Sequence, residues 1–180
     1  MLIRARESVL VVIDIQERLV PAMQAPARTL ANTKLLLHAA HETAVPVILT
    51  EQYPKGLGPT APEISKAAGN APIISKMHFS SMEDTVFAET FRKIGRRQAI
   101  LVGMEAHICV VQTAASMIEE DFEVFVVSDA TASRTLASES ASLARLTASG
   151  VNVVTTEMVV FEWLGQAGTP AFKRLLPTIK

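Results

Sequence analysis

Three side chains in this 180-residue chain have types and positions that could do chemistry together. Cys109 is the only cysteine, and it stands in "GMEAHICVV", after the apolar run "QAILV" and before the helical pattern "VQTAASMIEE". A thiol where a strand turns into a helix can be a small buried hydrophobe. It can equally be a nucleophile, since the first turn of a helix offers unpaired amides and the positive end of the dipole, and both favour thiolate. Asp14 closes the run "VLVVID", where a carboxylate is costly to bury without a partner unless it caps the turn that follows. Lys76 follows "IIS"; most lysines are solvated, but an ammonium beside a thiol would hold it as thiolate. Acid, amine and thiol make a coherent base, cation and nucleophile. Such a thiol is expected to react with iodoacetamide faster than a free one. Spacing alone does not choose between a packed cysteine and a reactive one.

Those residues need a scaffold, and the hydrophobic pattern supplies one. Short β-branched runs at Val9–Asp14, Val45–Thr50, Ile73–Ser75, Ala99–Gly103, Val124–Ser128 and Val151–Thr155 read as strands. Several are apolar throughout, as strands covered on both faces should be. Helical periods separate them: Arg28–Thr43, Asp84–Ile94 with Gly95 as its stop, a stretch beginning near Cys109, Ser138–Ser149, and a last helix after Pro170. This alternation predicts an α/β fold with right-handed crossovers, a mainly parallel sheet and helices on both faces. Ligands of such sheets bind beyond the carboxyl ends of the strands. Asp14, Lys76 and the Cys109 turn all fall at that edge.

The remaining features narrow the function. A chain of this length suits one domain spanning residues 1–180. Net charge is −1 and no long basic run occurs, which argues against nucleic acid or an acidic membrane as a partner; "RKIGRR" reads as a solvated helix end. One cysteine fits a reducing cytoplasm. The opening "MLIRARESVLVVIDIQ" lacks a signal-peptide cleavage site and is too short to span a membrane. His38 and His41 lie three apart on a helix, a spacing that serves a solvated face as well as a metal. His78 and His107 lie near the candidate site without a ligand pattern, so no metal and no cofactor are expected. "KGLGPT" lacks a phosphate-loop ending and reads as a mobile loop; Asp129 and Arg134 in "DATASR" read as caps of the next helix. Phe161, Trp163 and Leu164 in "MVVFEWL" suggest an exposed apolar surface for a homo-oligomer, or the completion of the core.

Three stretches together resemble the isochorismatase-like cysteine hydrolases: "VVIDIQ" with Asp14, "ISKMHFSS" with Lys76 and "LVGMEAHICV" with Cys109. "TEQYPKGLGPT" and "DATASR" further resemble the metal-free branch, the isochorismatase domain-containing proteins. The resemblance implies a three-layer Rossmann-like fold with strand order 3-2-1-4-5-6, an Asp14–Lys76–Cys109 triad, and hydrolysis of a small amide or related C–N bond through a thioester. It implies a cis peptide at Met104–Glu105 that aims the Glu105 amide, with that of Cys109, at an oxyanion. Gln16, Leu19, Tyr53, Phe79 and His107 would line the substrate pocket. Where family nicotinamidases carry an acid and histidines for a metal, this chain has Glu51, Gln52 and Tyr53. True isochorismatases cleave a vinyl ether through the aspartate alone and lack the cysteine present here. An ether hydrolase, or a non-catalytic or redox-sensing protein retaining the fold, are the competing readings.

Overall fold

The computed structural model describes residues 1–179. Six strands, β1 (Ser8–Ile13), β2 (Val47–Gln52), β3 (Ile73–Lys76), β4 (Gln98–Met104), β5 (Glu123–Ala132) and β6 (Asn152–Val154), form one parallel sheet in the order β3-β2-β1-β4-β5-β6. The helices are α1 (Pro26–Glu42), α2 (Pro54–Leu57), α3 (Pro62–Ala68), α4 (Thr85–Ile94), α5 (Val111–Glu119), α6 (Leu136–Ala148), α7 (Thr156–Leu164) and α8 (Pro170–Ile179). The strand order expected from the resemblance is the one observed.

Alternation along the strands builds two cores. Leu10, Val12, Ile100, Val102 and Phe125 face one side, where α1, α3, α7 and α8 cover them. Val9, Val11, Ile13, Ala99, Leu101, Val124 and Val126 face the other, against α4, α5 and α6. Period-two side chains on a sheet with helices on both faces account for the unbroken apolar runs. Asp84 caps α4 by accepting from the amides of Val86 and Phe87, and Gly95 ends it in the left-handed conformation. Phe91 stacks with Phe87 and meets Phe122 edge-on at 5.1 Å between centroids, fixing α4 to the sheet.

The sheet reverses its winding at β1, whose neighbours are β2 and β4. Ile13 pairs with Thr50 on one side and Gly103 on the other. A Cβ on Gly103 would lie 2.0 Å from the Ile13 carbonyl oxygen, and its φ of 141° is open only to glycine. Gly103 thus lets β4 approach β1 where Asp14 leaves the sheet. Gly103→Ala is expected to cost about 3 kcal/mol, combining overpacking with backbone strain, read as a fall in the urea midpoint.

Several expectations are corrected. "KGLGPT" is not an open loop: Pro54–Leu57 forms a helical turn, Gln16 bridges to Thr60, and α3 follows. Asp129 braces the start of α7, whose cap is Thr155, rather than α6, accepting from the amide and hydroxyl of Thr156. Trp163 is buried and its indole donates to Ser8 Oγ, so only Phe161 of the apolar trio stays largely exposed. Among the described residues no helix is long and apolar enough to cross a membrane.

Candidate active site

Three strands end at the carboxyl edge in residues with left-handed backbones: Asp14 (φ 53°) after β1, Tyr53 (φ 38°) after β2 and Glu105 (φ 56°) after β4. Such conformations cost non-glycine residues of order 1 kcal/mol or more and concentrate where function demands a sharp turn. Each turn lifts the chain out of the sheet. The Met104–Glu105 bond, expected to be cis, is trans; no cis peptide occurs among the described residues. The left-handed Glu105 makes the reversal instead, and residues Ala106–Val110 then coil as one π-helical turn that runs into α5. Single π turns in helices often mark functional sites. Cys109 lies in that turn.

Asp14, Lys76 and Cys109 come together, with exposures of 0%, 1% and 1%. Lys76 Nζ donates to Asp14 Oδ2 at 2.8 Å and to Gln52 Oε1 at 2.7 Å, with the carbonyls of Phe79 and His78 at 3.2 and 3.3 Å. The other Asp14 oxygen accepts from Thr50 Oγ1 at 2.7 Å. The sequence reading missed Thr50 and Gln52. They alternate on β2 and so share the face toward Asp14 and Lys76, while Glu51 between them binds the amide and hydroxyl of Thr60. Asp14 acts on the Cys109 thiol both through its charge and as a hydrogen-bond acceptor.

The balance at sulfur reverses the expected thiolate. Burial, and after it the charge of Asp14, push the Cys109 thiol well above its ordinary value of 9.0, against the opposing pull of Lys76. These surroundings favour the thiol over the thiolate beside the Asp14–Lys76 ion pair. Moving the thiol proton to Asp14 conserves net charge, and Lys76 neutralises whichever anion results. Rapid alkylation of the resting thiol is therefore no longer expected; its rate should instead keep climbing as pH rises beyond 9. Asp14→Asn removes the charge that opposes thiolate and leaves Lys76 facing sulfur. At pH 8 that variant should alkylate with iodoacetamide at least about tenfold faster than wild type, a thiol shift of about one unit. An unchanged or slower rate would remove Asp14 from the thiol's surroundings.

The remaining candidates divide. Tyr53 and Phe79 are 48% and 53% exposed beside the carboxyl ends of β2 and β3. Gln16 does not line an open site. Its Nε2 donates to the carbonyls of Gln52 and Gly58, and its Oε1 accepts from the Gln52 amide, so the whole amide is spent tying β2 to the following loop. Leu19 is buried in the core on the far face of the sheet from Cys109. His107 is half-buried, with Nδ1 3.0 Å from Ser133 Oγ. Glu105 forms an ion pair with Arg134. His38 and His41 are exposed on α1, and among the described residues no three His, Cys, Asp or Glu side chains could jointly hold a metal ion.

A doubly wound α/β sheet with acid, ammonium and thiol buried at its switch point defines the class: a single-sheet α/β protein with a polar reaction-type site at the strand ends. The chain belongs to the isochorismatase family, whose isochorismatase domain matches residues 8–158, and is thus an isochorismatase-family hydrolase. It is 39% identical to isochorismatase domain-containing protein 2 of Danio rerio over 168 residues, 93% of this chain and 84% of that one. The MAR1 ribonuclease of Caenorhabditis elegans superposes with a TM-score of 0.93 at 33% identity, covering 99% and 92% of the two chains. YcaC of Pseudomonas aeruginosa, solved with hexane-2,5-diol and covalent acrylamide, gives 0.93 at 25% identity, covering 98% and 91%.

Proposed function

We propose that this protein is a cysteine hydrolase of a small amide or related C–N bond, working through a thioester. Asp14 takes the Cys109 proton as sulfur attacks the carbonyl carbon. The backbone amide of Cys109 holds the developing oxyanion, a donor of this type being worth about 2.7–4 kcal/mol in the transition state. Collapse breaks the C–N bond, and Asp14 returns its proton to the leaving amine. Water, deprotonated by Asp14, then attacks the thioester, releasing a carboxylic acid and restoring the thiol. Lys76 holds the carboxylate and balances charge at each step. Tyr53 and Phe79 line the way in. No cofactor takes part.

The observation that carries this reading is the burial of the Lys76–Asp14 pair, at 2.8 Å, against a thiol. Replacing a buried ion pair by apolar side chains is often neutral or stabilising, so a pair spent at the sheet's switch point favours chemistry over packing. The covalent acrylamide on the Pseudomonas aeruginosa protein fits a reactive nucleophile in this fold. Lys76, the cation at the site, is enclosed by Asp14, Gln52 and two carbonyls, which leaves it no face for a phosphodiester. The test is turnover of a panel of small amides, nitriles and ureas by wild type, with single-stranded RNA as the control. Hydrolysis of an amide supports the proposal; cleavage of RNA alone contradicts it.

We also propose a cytoplasmic homo-oligomer. Phe161 and Met158, exposed on α7, offer apolar surface for a second copy. Light scattering should give a multiple of 19.4 kDa, and a monomer mass at micromolar concentration would refute it.

A further inference from the structure

A cavity lies apart from the Asp14–Lys76–Cys109 cluster, in the groove between α6 and the turn that carries Cys109. It measures about 240 Å³ and is lined by His107, Val111, Ser138, Ala141, Ser142 and Arg145. None of Asp14, Lys76 and Cys109 borders it.

Several of its polar groups are free for a ligand, while the Ser142 hydroxyl donates to the Glu139 carbonyl at 2.8 Å. Among the described residues Arg145 has no ion-pair partner and its guanidinium makes no hydrogen bond within the chain. The nearby carboxylate of Glu139 does not compete, since it pairs with Arg28 at 3.1 Å and accepts from the Ser133 amide. Ser138 Oγ accepts from Thr135, which leaves its own proton to donate. Nδ1 of His107 is held by Ser133, so Nε2 is the ring nitrogen left for a ligand. Val111 and Ala141 make the rest of the wall apolar. A planar guanidinium fork suits a carboxylate, bound through two parallel N–H···O contacts. The volume exceeds what one inorganic anion fills and suits a short apolar tail.

We infer that this cavity is a binding site for a small monocarboxylate, its charge on Arg145 and Ser138 and its apolar part against Val111 and Ala141. It stands whether or not the chain hydrolyses amides. Because His107 shares the π turn with Cys109, occupancy is positioned to alter the setting of the thiol.

Isothermal titration of the full chain with benzoate and with isobutyrate tests the site, with benzamide and isobutyramide, titrated into Cys109→Ala so that they are not hydrolysed, as neutral counterparts. Saturable binding of a carboxylate is expected, at least about tenfold weaker for the matching amide and for Arg145→Ala. Arg145 is exposed on a helix and alanine is a strong helix former, so that variant should fold; circular dichroism checks it. Cys109→Ala and Asp14→Asn should bind as wild type does, which separates this site from the other. No saturable binding up to about 10 mM, equal binding by Arg145→Ala, or loss in Cys109→Ala would each overturn the inference.

Discussion

Cys109→Ala is expected to abolish amide turnover, with kcat lowered by at least about 10³-fold and KM little changed. In the thioester route no bond to the acyl carbon forms without sulfur, so nothing downstream can compensate. Asp14→Asn should lose activity to a similar degree, since the asparagine can neither take the thiol proton nor return it to the amine. Groups that act as one unit lose activity together, so the double variant should be scarcely worse than either single one. The same Asp14→Asn protein should alkylate faster, which dissociates thiolate formation from turnover. Cys109 is small and sits among Ile13, Val110 and Ala114, so its truncation should cost only about 1 kcal/mol of stability. Acid-catalysed ether hydrolysis differs at one variant, with Asp14→Asn again dead but Cys109→Ala active. Steady-state kinetics on the four proteins distinguishes the two.

Lys76→Met should have the largest effect on stability. Methionine occupies similar volume, but Asp14 would remain wholly buried with the Thr50 hydroxyl and the Cys109 thiol as partners and no counter-charge. An uncompensated buried charge of this kind costs about 3–5 kcal/mol. Gln52 Oε1 and the carbonyls of His78 and Phe79 lose their donor too. Adding Asp14→Asn removes the stranded charge, so the double variant should regain a substantial part of the loss. Urea unfolding of both single variants and the double one measures the coupling. If Lys76→Met and the double variant were equally destabilised, the ion pair would not be the source of the cost. Neither variant should hydrolyse the substrate.

The strand ends were the legible part of this site. Asp14 interrupts an apolar run, Lys76 follows one and Cys109 stands where strand becomes helix, and each feature is local. Thr50 and Gln52 were not legible in this role, because which face of β2 meets Asp14 depends on strand order, and periodicity does not set neighbours. That order came from the family resemblance. The π turn and the left-handed Glu105 leave no residue signature, glutamate being an ordinary helix former. Gln16 and Leu19 sit close to Asp14 in sequence, yet the chain after β1 turns back to brace the loop and fill the core. The helix start and the lysine, which favour thiolate, are visible in the sequence, while the burial that opposes it is not. Trp163 joined the core through a partner 155 residues away, Ser8.

The most direct test is intact mass spectrometry of protein quenched during turnover of a slow amide or its activated ester. The account predicts a mass increase equal to the acyl group on wild-type protein, localised by peptide mapping to Cys109 and absent from Cys109→Ala. Turnover by wild type with no adduct at any quench time, together with an active Cys109→Ala protein, would contradict it.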